Sequence, residues 1–312
     1  MLPSRLPCAR LVVATVVLAI VLAVVPLPWH GLWANVVQDT LHALGFAGFT
    51  FLTLHCARSH ETSGAGPRRR RLALALGLVL ALAVITEGAQ YVTPRDSNPW
   101  DFVRDLVGIA LGFGLWLATT RLARRVRVAG IALVLATATM TAVPLIQTAH
   151  DLHERATSLP LVHDFTHGWE MRFVASRNAT TDRVTLDGTP PREVLRIVYE
   201  RGAWPSTIFR ELPKGWSEEG TLVLVLGNPG DTAIRLGLRL DDQREVFDYE
   251  DRFQRALTLE PGWHAFRVPL REVVEEVTGH AFDLGAVQTL ALFALRGPRP
   301  ITVHVDEIRI ED

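Results

Sequence analysis

The chain has 312 residues, 48% of them hydrophobic, and a formal net charge of −1; that length is enough for two domains. The near-neutral total joins two unlike halves: residues 1–150 carry 13 arginines against 6 acidic residues, a balance of +7, and the remainder carries 19 basic against 27 acidic residues, a balance of −8. The basic residues of the first half fall in loops between apolar runs, which argues against a nucleic-acid footprint, and the only cysteines, Cys8 and Cys56, leave the second half without a disulfide framework.

A helix needs about 20 mostly apolar residues to cross a bilayer. Five segments qualify, near Leu11–Leu27, Val37–Cys56, Leu72–Val92, Phe102–Thr119 and Val128–Thr148. Cys8 precedes the first run, whereas a lipid-attachment cysteine follows one. No small-residue cleavage site ends that run. Pro26, Pro28, Trp29 and Trp33 come next, as expected of an uncleaved anchor that ends at an interface.

Arginine placement orients the bundle. With the N-terminus inside, Arg5, Arg10, Arg58, the run Arg68–Arg71, Arg121, Arg124, Arg125 and Arg127 are all cytoplasmic, which is 11 of the 13. The expected topology is therefore five spans in the cytoplasmic membrane, with an extracytoplasmic C-terminal half. The basic run reads as a topology determinant rather than a lipid-recognition patch.

Charged groups inside spans are costly and mark sites. Asp39 and His42 lie at the outer end of the second segment, Glu87 and Gln90 at that of the third, and Asp101, Arg104 and Asp105 at that of the fourth, with Arg95 in the short loop between the last two. The orientation brings all of them to one membrane face. Glu87 and Gln90 are three residues apart and share a helix face. Asp101, Asp105, Gly108 and Gly112 form one stripe, and its glycines form a helix-packing face.

Glu87-x-x-Gln90, Arg95 in the loop, then Asp101-x-x-x-Asp105-x-x-Gly108-x-x-x-Gly112 resembles the signature of the VanZ-like membrane family over about residues 30–120. Asp105 stands where that family usually has Asn. The family's Asp-Lys pair four residues before a His is replaced here by Gln38-Asp39 before His42. The resemblance implies an envelope membrane protein and a link to glycopeptide-antibiotic resistance. The residues themselves leave three readings open. One is a pocket for a charged headgroup, with Arg95 and Arg104 on phosphate and Gln90 and His42 donating hydrogen bonds. The second is an enzyme on a lipid-linked substrate, with Glu87 or Asp101 as general base and His42 as acid, or with a metal held by the carboxylates. The third is a paired-charge clasp that fixes the bundle. No nucleophile motif supports the enzyme reading, so a non-enzyme is expected.

His150, His153, His163 and His167 crowd a polar stretch after the last segment and read as solvated; no metal site is assigned to them. From Trp169 onward the pattern alternates with period 2. Strands are expected near Val194–Tyr199, Thr221–Leu226, Ala233–Leu240, Arg255–Leu259, Trp263–Pro269, Thr289–Leu295 and Ile301–Ile310, with a short helix at Arg271–Val277. In the last strand the apolar phase slips at Asp306-Glu307, which predicts a bulge. Many short strands with Gly/Pro turns indicate an all-β jelly-roll sandwich.

The succession Asp248–Phe253, Leu259-Glu260-Pro261-Gly262-Trp263, Val268-Pro269-Leu270, Asp283-Leu284 and Val305-Asp306-Glu307-Ile308 resembles galactose-binding-like jelly rolls, carbohydrate-binding modules among them, over about residues 165–312. The resemblance implies sugar binding and, in some members, a structural Ca²⁺. Trp204, Trp216, Phe247, Tyr249 and Trp263 are the stacking candidates, with Asp251 beside them; the alternative is that they fill the core, and that Asp251-Arg252 is an internal ion pair. The expected organisation is a transmembrane domain at 1–149, a juxtamembrane linker at 150–165 and an extracytoplasmic sandwich at 166–312. The expected partners are the lipid bilayer and a cell-surface glycan or lipid-linked precursor.

Overall fold

The computed structural model describes residues 13, 17, 31–59, 68–90, 99–188, 190–243, 249–295 and 300–311. The chain divides into two compact units, Met1–Ala149 and His150–Asp312.

The first unit is helical. Helices α1 (Leu32–Ser59), α2 (Arg68–Gln90), α3 (Pro99–Thr119) and α4 (Arg124–Ala156) are each long and apolar enough to cross a membrane. The first expected segment, Leu11–Leu27, lies outside the described residues. Each helix overruns its apolar run. Arginine is a good helix former, so α2 takes in Arg68–Arg71 and α4 begins at Arg124. Pro144 sits inside α4.

Small residues bring α1 and α3 together. A Cβ added at Gly108 would fall 2.2 Å from the carbonyl oxygen of Ala43, and one at Gly112 would fall 2.2 Å from that of Ala47. The two contacts repeat every four residues on both helices, one turn apart. Phe46 and Phe49 of α1 pack with Val79 and Ala83 of α2. Large apolar side chains also point outward, among them Leu74, Leu78 and Ile85 of α2 and Ile131, Leu135 and Ile146 of α4.

The second unit is a sandwich of two antiparallel sheets. The strands are β1 (Leu161–His163), β2 (Val174–Arg177), β3 (Ala179–Leu186), β4 (Arg192–Tyr199), β5 (Ser206–Arg210), β6 (Thr221–Asn228), β7 (Ile234–Asp242), β8 (Phe253–Leu259), β9 (Gly262–Pro269), β10 (Val287–Ala294) and β11 (Ile301–Glu311). Helix α5 (Leu270–Glu276) follows β9. One sheet runs β3-β4-β11-β6-β9, with β1 added on β11; the other runs β2-β5-β10-β7-β8. Alternate residues of β4, β6, β7, β10 and β11 fill the space between them: Leu195 and Ile197, Leu222 and Leu224, Leu236 and Leu238, Leu290 and Leu292, Val303 and Val305. Each such burial contributes about 1.5–3 kcal/mol. Tyr199 is buried here too, and its hydroxyl donates to the Leu292 carbonyl at 3.1 Å.

The pairing of β11 with β6 shifts register between Val305 and Glu307. The extra residue returns Ile308 and Ile310 to the core after the phase slip. The stretch 150–165, expected to be a linker, contains the end of α4, up to Ala156, and strand β1.

Candidate functional site

Two groups of polar side chains stand out, one in each unit. In the bundle, Arg104 of α3 pairs with Asp39 of α1 at 2.9 Å and with Asp101 one turn before it. His42 of α1 sits 3.5 Å from Asp105. His42, Asp101 and Asp105 are buried, and Glu87 of α2 lies within electrostatic reach of Asp105. The α1–α3 contact at Gly108 and Gly112 continues the same face of α3, so close backbone packing is what brings the charges within pairing distance. Arg95 and the side chain of Gln90 lie outside the described residues.

The second group lies on the outer face of the six-stranded sheet. In antiparallel pairing, directly opposed residues present their side chains to the same face. Trp263 of β9 opposes Gly227 of β6, Gly227 opposes His304 of β11, His304 opposes Arg196 of β4, and Arg196 opposes Asp182 of β3. One row thus crosses five strands. With strands about 4.8 Å apart it spans about 19 Å.

The row begins with a supported aromatic. A Cβ on Gly227 would lie 2.8 to 2.9 Å from three ring carbons of Trp263, so only glycine lets the indole lie on β6. The His304 ring lies alongside, with centroids 6.1 Å apart and planes 30° apart. The guanidinium of Arg192, from β4, sits 4.8 Å from the indole centroid and 3.4 Å from Asp306. At the far end Arg196 grips Asp182 through two bonds, of 2.9 and 2.5 Å. Burial, and then the charge of Arg196, hold the His304 pKa below its ordinary 6.5. The face therefore combines a partly exposed indole, an imidazole and two guanidinium–carboxylate pairs.

The expected sugar-stacking residues part company here. Trp263 is 39% exposed and belongs to the row. Trp204 is 75% exposed, on the turn between β4 and β5. Trp216 is only 5% exposed and packs in the sandwich core, the core-filling alternative for these aromatics. Phe247 and the side chain of Tyr249 lie outside the described residues. Asp251 faces His280 at 3.5 Å, and the same imidazole is 2.9 Å from the buried Asp242. Hydrogen bonding to Asp242 raises the His280 pKa.

The four histidines after the last span are not all solvated. His163 is buried and bonded to Arg155 through Nε2 (2.7 Å) and to Glu170 through Nδ1 (3.1 Å). A guanidinium only donates, so Nε2 accepts and Nδ1–H donates to Glu170. Burial and the Arg155 charge push the His163 pKa well below 6.5. Arg155 also donates to the carbonyls of Glu211 (3.0 Å) and Val162.

Ligand atoms of Asp164, His167 and Glu170 lie within 4.8 Å of one another. Calcium takes six to eight oxygens. This group offers one imidazole, and both Glu170 oxygens already accept N–H bonds, from His163, Asp164 and His167. The set does not fit a structural calcium.

No protein-family profile and no curated protein matches the chain. Solved structures similar to the C-terminal half are carbohydrate-binding-module sandwiches and agarases. A family 11 carbohydrate-binding module from Clostridium thermocellum, in complex with a β-1,3-1,4-mixed-linked tetrasaccharide, is 15% identical with a TM-score of 0.36, covering 48% of this chain and 94% of its own. A family 30 module of a C. thermocellum cellulosomal cellulase is 19% identical with a TM-score of 0.33, covering 45% and 90%. An exo-β-agarase is 17% identical with a TM-score of 0.39; 48% of this chain is covered, and only 25% of the agarase. The VanZ-like pattern of the bundle rests on its residues alone, and none of these comparisons supports a link to antibiotic resistance.

Proposed function

We propose that this is an envelope membrane protein whose sandwich binds a glycan across the outer face of the six-stranded sheet. The observation that carries the reading is the row Trp263, Gly227, His304, Arg196, Asp182. Sugar rings need an apolar plate for their C–H faces and a fringe of donors and acceptors for their hydroxyls. The row supplies both over a length of about 19 Å, set by the strand spacing, which suits a chain of several rings. The helices anchor this face: their length, their apolar surface and the arginine bias of their loops favour a membrane-embedded bundle with the sandwich outside.

The full chain, purified in detergent, is titrated with a panel of neutral and acidic oligosaccharides. Trp263→Ala is expected to weaken binding at least tenfold, while Trp204→Ala leaves it unchanged. Absence of binding to every glycan in the panel overturns the reading.

For the bundle cluster, the clasp is favoured over a catalytic or headgroup site. Arg104 bridges Asp39 and Asp101 across α1 and α3, which spends its charge on holding two helices together.

A further inference from the structure

The indole of Trp263 lies so close to Gly227 that even a methyl group would not fit there. The guanidinium of Arg192 lies over the ring, 4.8 Å from its centroid. A sugar ring that stacks on that part of Trp263 must take the place of Arg192.

The two arginines of this face are held very differently. Arg196 is locked to Asp182 by two short bonds. Arg192 is 47% exposed, and its only ion pair among the described residues is the 3.4 Å approach to Asp306. A guanidinium has five N–H donors in a planar fork that matches a carboxylate. Most of the donors of Arg192 are uncommitted, and its long side chain is free to swing.

We propose that this face is specific for acidic glycans, with Arg192 as the specificity-determining residue. A uronate ring slides onto the indole, and its carboxylate draws Arg192 away from Asp306 into a two-pronged pair beside the ring. A neutral ring has to displace the guanidinium and offers it only hydroxyl acceptors, with no charge to replace that of Asp306. The inference rests on the glycan reading above and deepens it.

The test uses the full chain in detergent and a panel of uronate-containing oligosaccharides, each paired with its carboxyl-reduced form. The reduced chain keeps the ring and linkage and loses only the charge. The protein is expected to bind at least one acidic chain tenfold or more tighter than its reduced partner. Arg192→Gln is expected to abolish that preference, weakening the acidic chain and strengthening the neutral one. Asp306→Asn removes the internal competitor and is expected to tighten the acidic chain several-fold; this second variant guards against a fold defect in the first. Equal binding of acidic and reduced chains overturns the inference and leaves the glycan reading standing, as does a preference that survives Arg192→Gln. Binding of neither form overturns both.

Discussion

The two units are built inside out with respect to each other. In the helical unit Leu74, Leu78, Ile85, Ile131, Leu135 and Ile146 face outward, while His42, Asp101 and Asp105 are buried. In the sandwich Leu195, Leu224, Leu238 and Val303 are buried, and Arg192, Arg196 and Asp182 face outward. Packing differs in the same sense. Helices α1 and α3 meet through glycines, and the sheets through leucines and valines. Water drives large apolar groups together, whereas in lipid that drive is lost and close backbone contact with paired polar groups takes over. With the bundle in lipid, as proposed, one chain would obey two solvent rules, the change falling near the boundary at Ala149.

The contrast can be broken most severely at one of its exceptions, the buried charge of Arg155. Arg155→Met leaves the Val162 and Glu211 carbonyls and the His163 ring without their donor. Removing one partner of such a buried set costs about 3–5 kcal/mol. The near-ultraviolet signal of the sandwich aromatics is expected to melt early while the helical far-ultraviolet signal persists; loss of both together would show that the two units do not unfold separately.

Next is the outward face of the bundle. Leu135→Asp puts a charge where lipid is proposed, at a cost of about 3 kcal/mol, and reduced membrane insertion is expected. Normal insertion with unchanged stability would place that face against water or protein. Gly112→Val comes third: its side chain meets the Ala47 carbonyl and Thr50. A loss of about 1–3 kcal/mol is expected from overpacking, read as a lowered melting temperature of the helical signal. A wild-type melting temperature would mean that α1 and α3 are not held at that distance.

The smallest effects concern pH. The His280 pKa is raised, so its bonds to Asp242 and Asp251 stabilise the sandwich below pH 6.5, and that stability is lost as pH rises through the folded-state pKa. The His163 pKa is depressed, so the unfolded chain takes up its proton first, and stability falls as pH drops below 6.5. His280→Gln is expected to remove only the alkaline limb, about 1 kcal/mol, in melting curves recorded from pH 5 to 9. An unchanged alkaline limb would mean that His280 does not hold its two carboxylates.

Much of this architecture could be read from the residues. The four long helices followed from long apolar runs, and β4, β6, β7 and β11 from alternation. Strands β1, β2, β3 and β5 escaped for physical reasons. β3, Ala179–Leu186, is an edge strand with no fully buried residue, so it has no apolar phase to detect. β1 has only three residues and β2 only four. The site was legible in type and not in arrangement. Trp204, Trp216 and Trp263 look alike in sequence, yet one sits on a turn, one in the core and one on the face. Gly227, His304, Arg196 and Asp182 are scattered along the chain, and strand register alone lines them up. Arg192 over Trp263 had no local signal at all.

The position of β11 has a consequence for the order of assembly. It is the last strand in the chain, yet it lies in the middle of its sheet, between β4 and β6, with β1 also bound to it. Until β11 arrives, β3-β4 and β6-β9 are separate hairpin-like ribbons, each with an unpaired edge. Such edges invite pairing with other chains, and contacts between distant segments form slowly. The helices close their backbone hydrogen bonds locally, and the contact of α1 with α3 skips only one helix, so the bundle can form while the sandwich still waits for its keystone. The row that spans β3 to β9 comes into being only when β11 closes the gap.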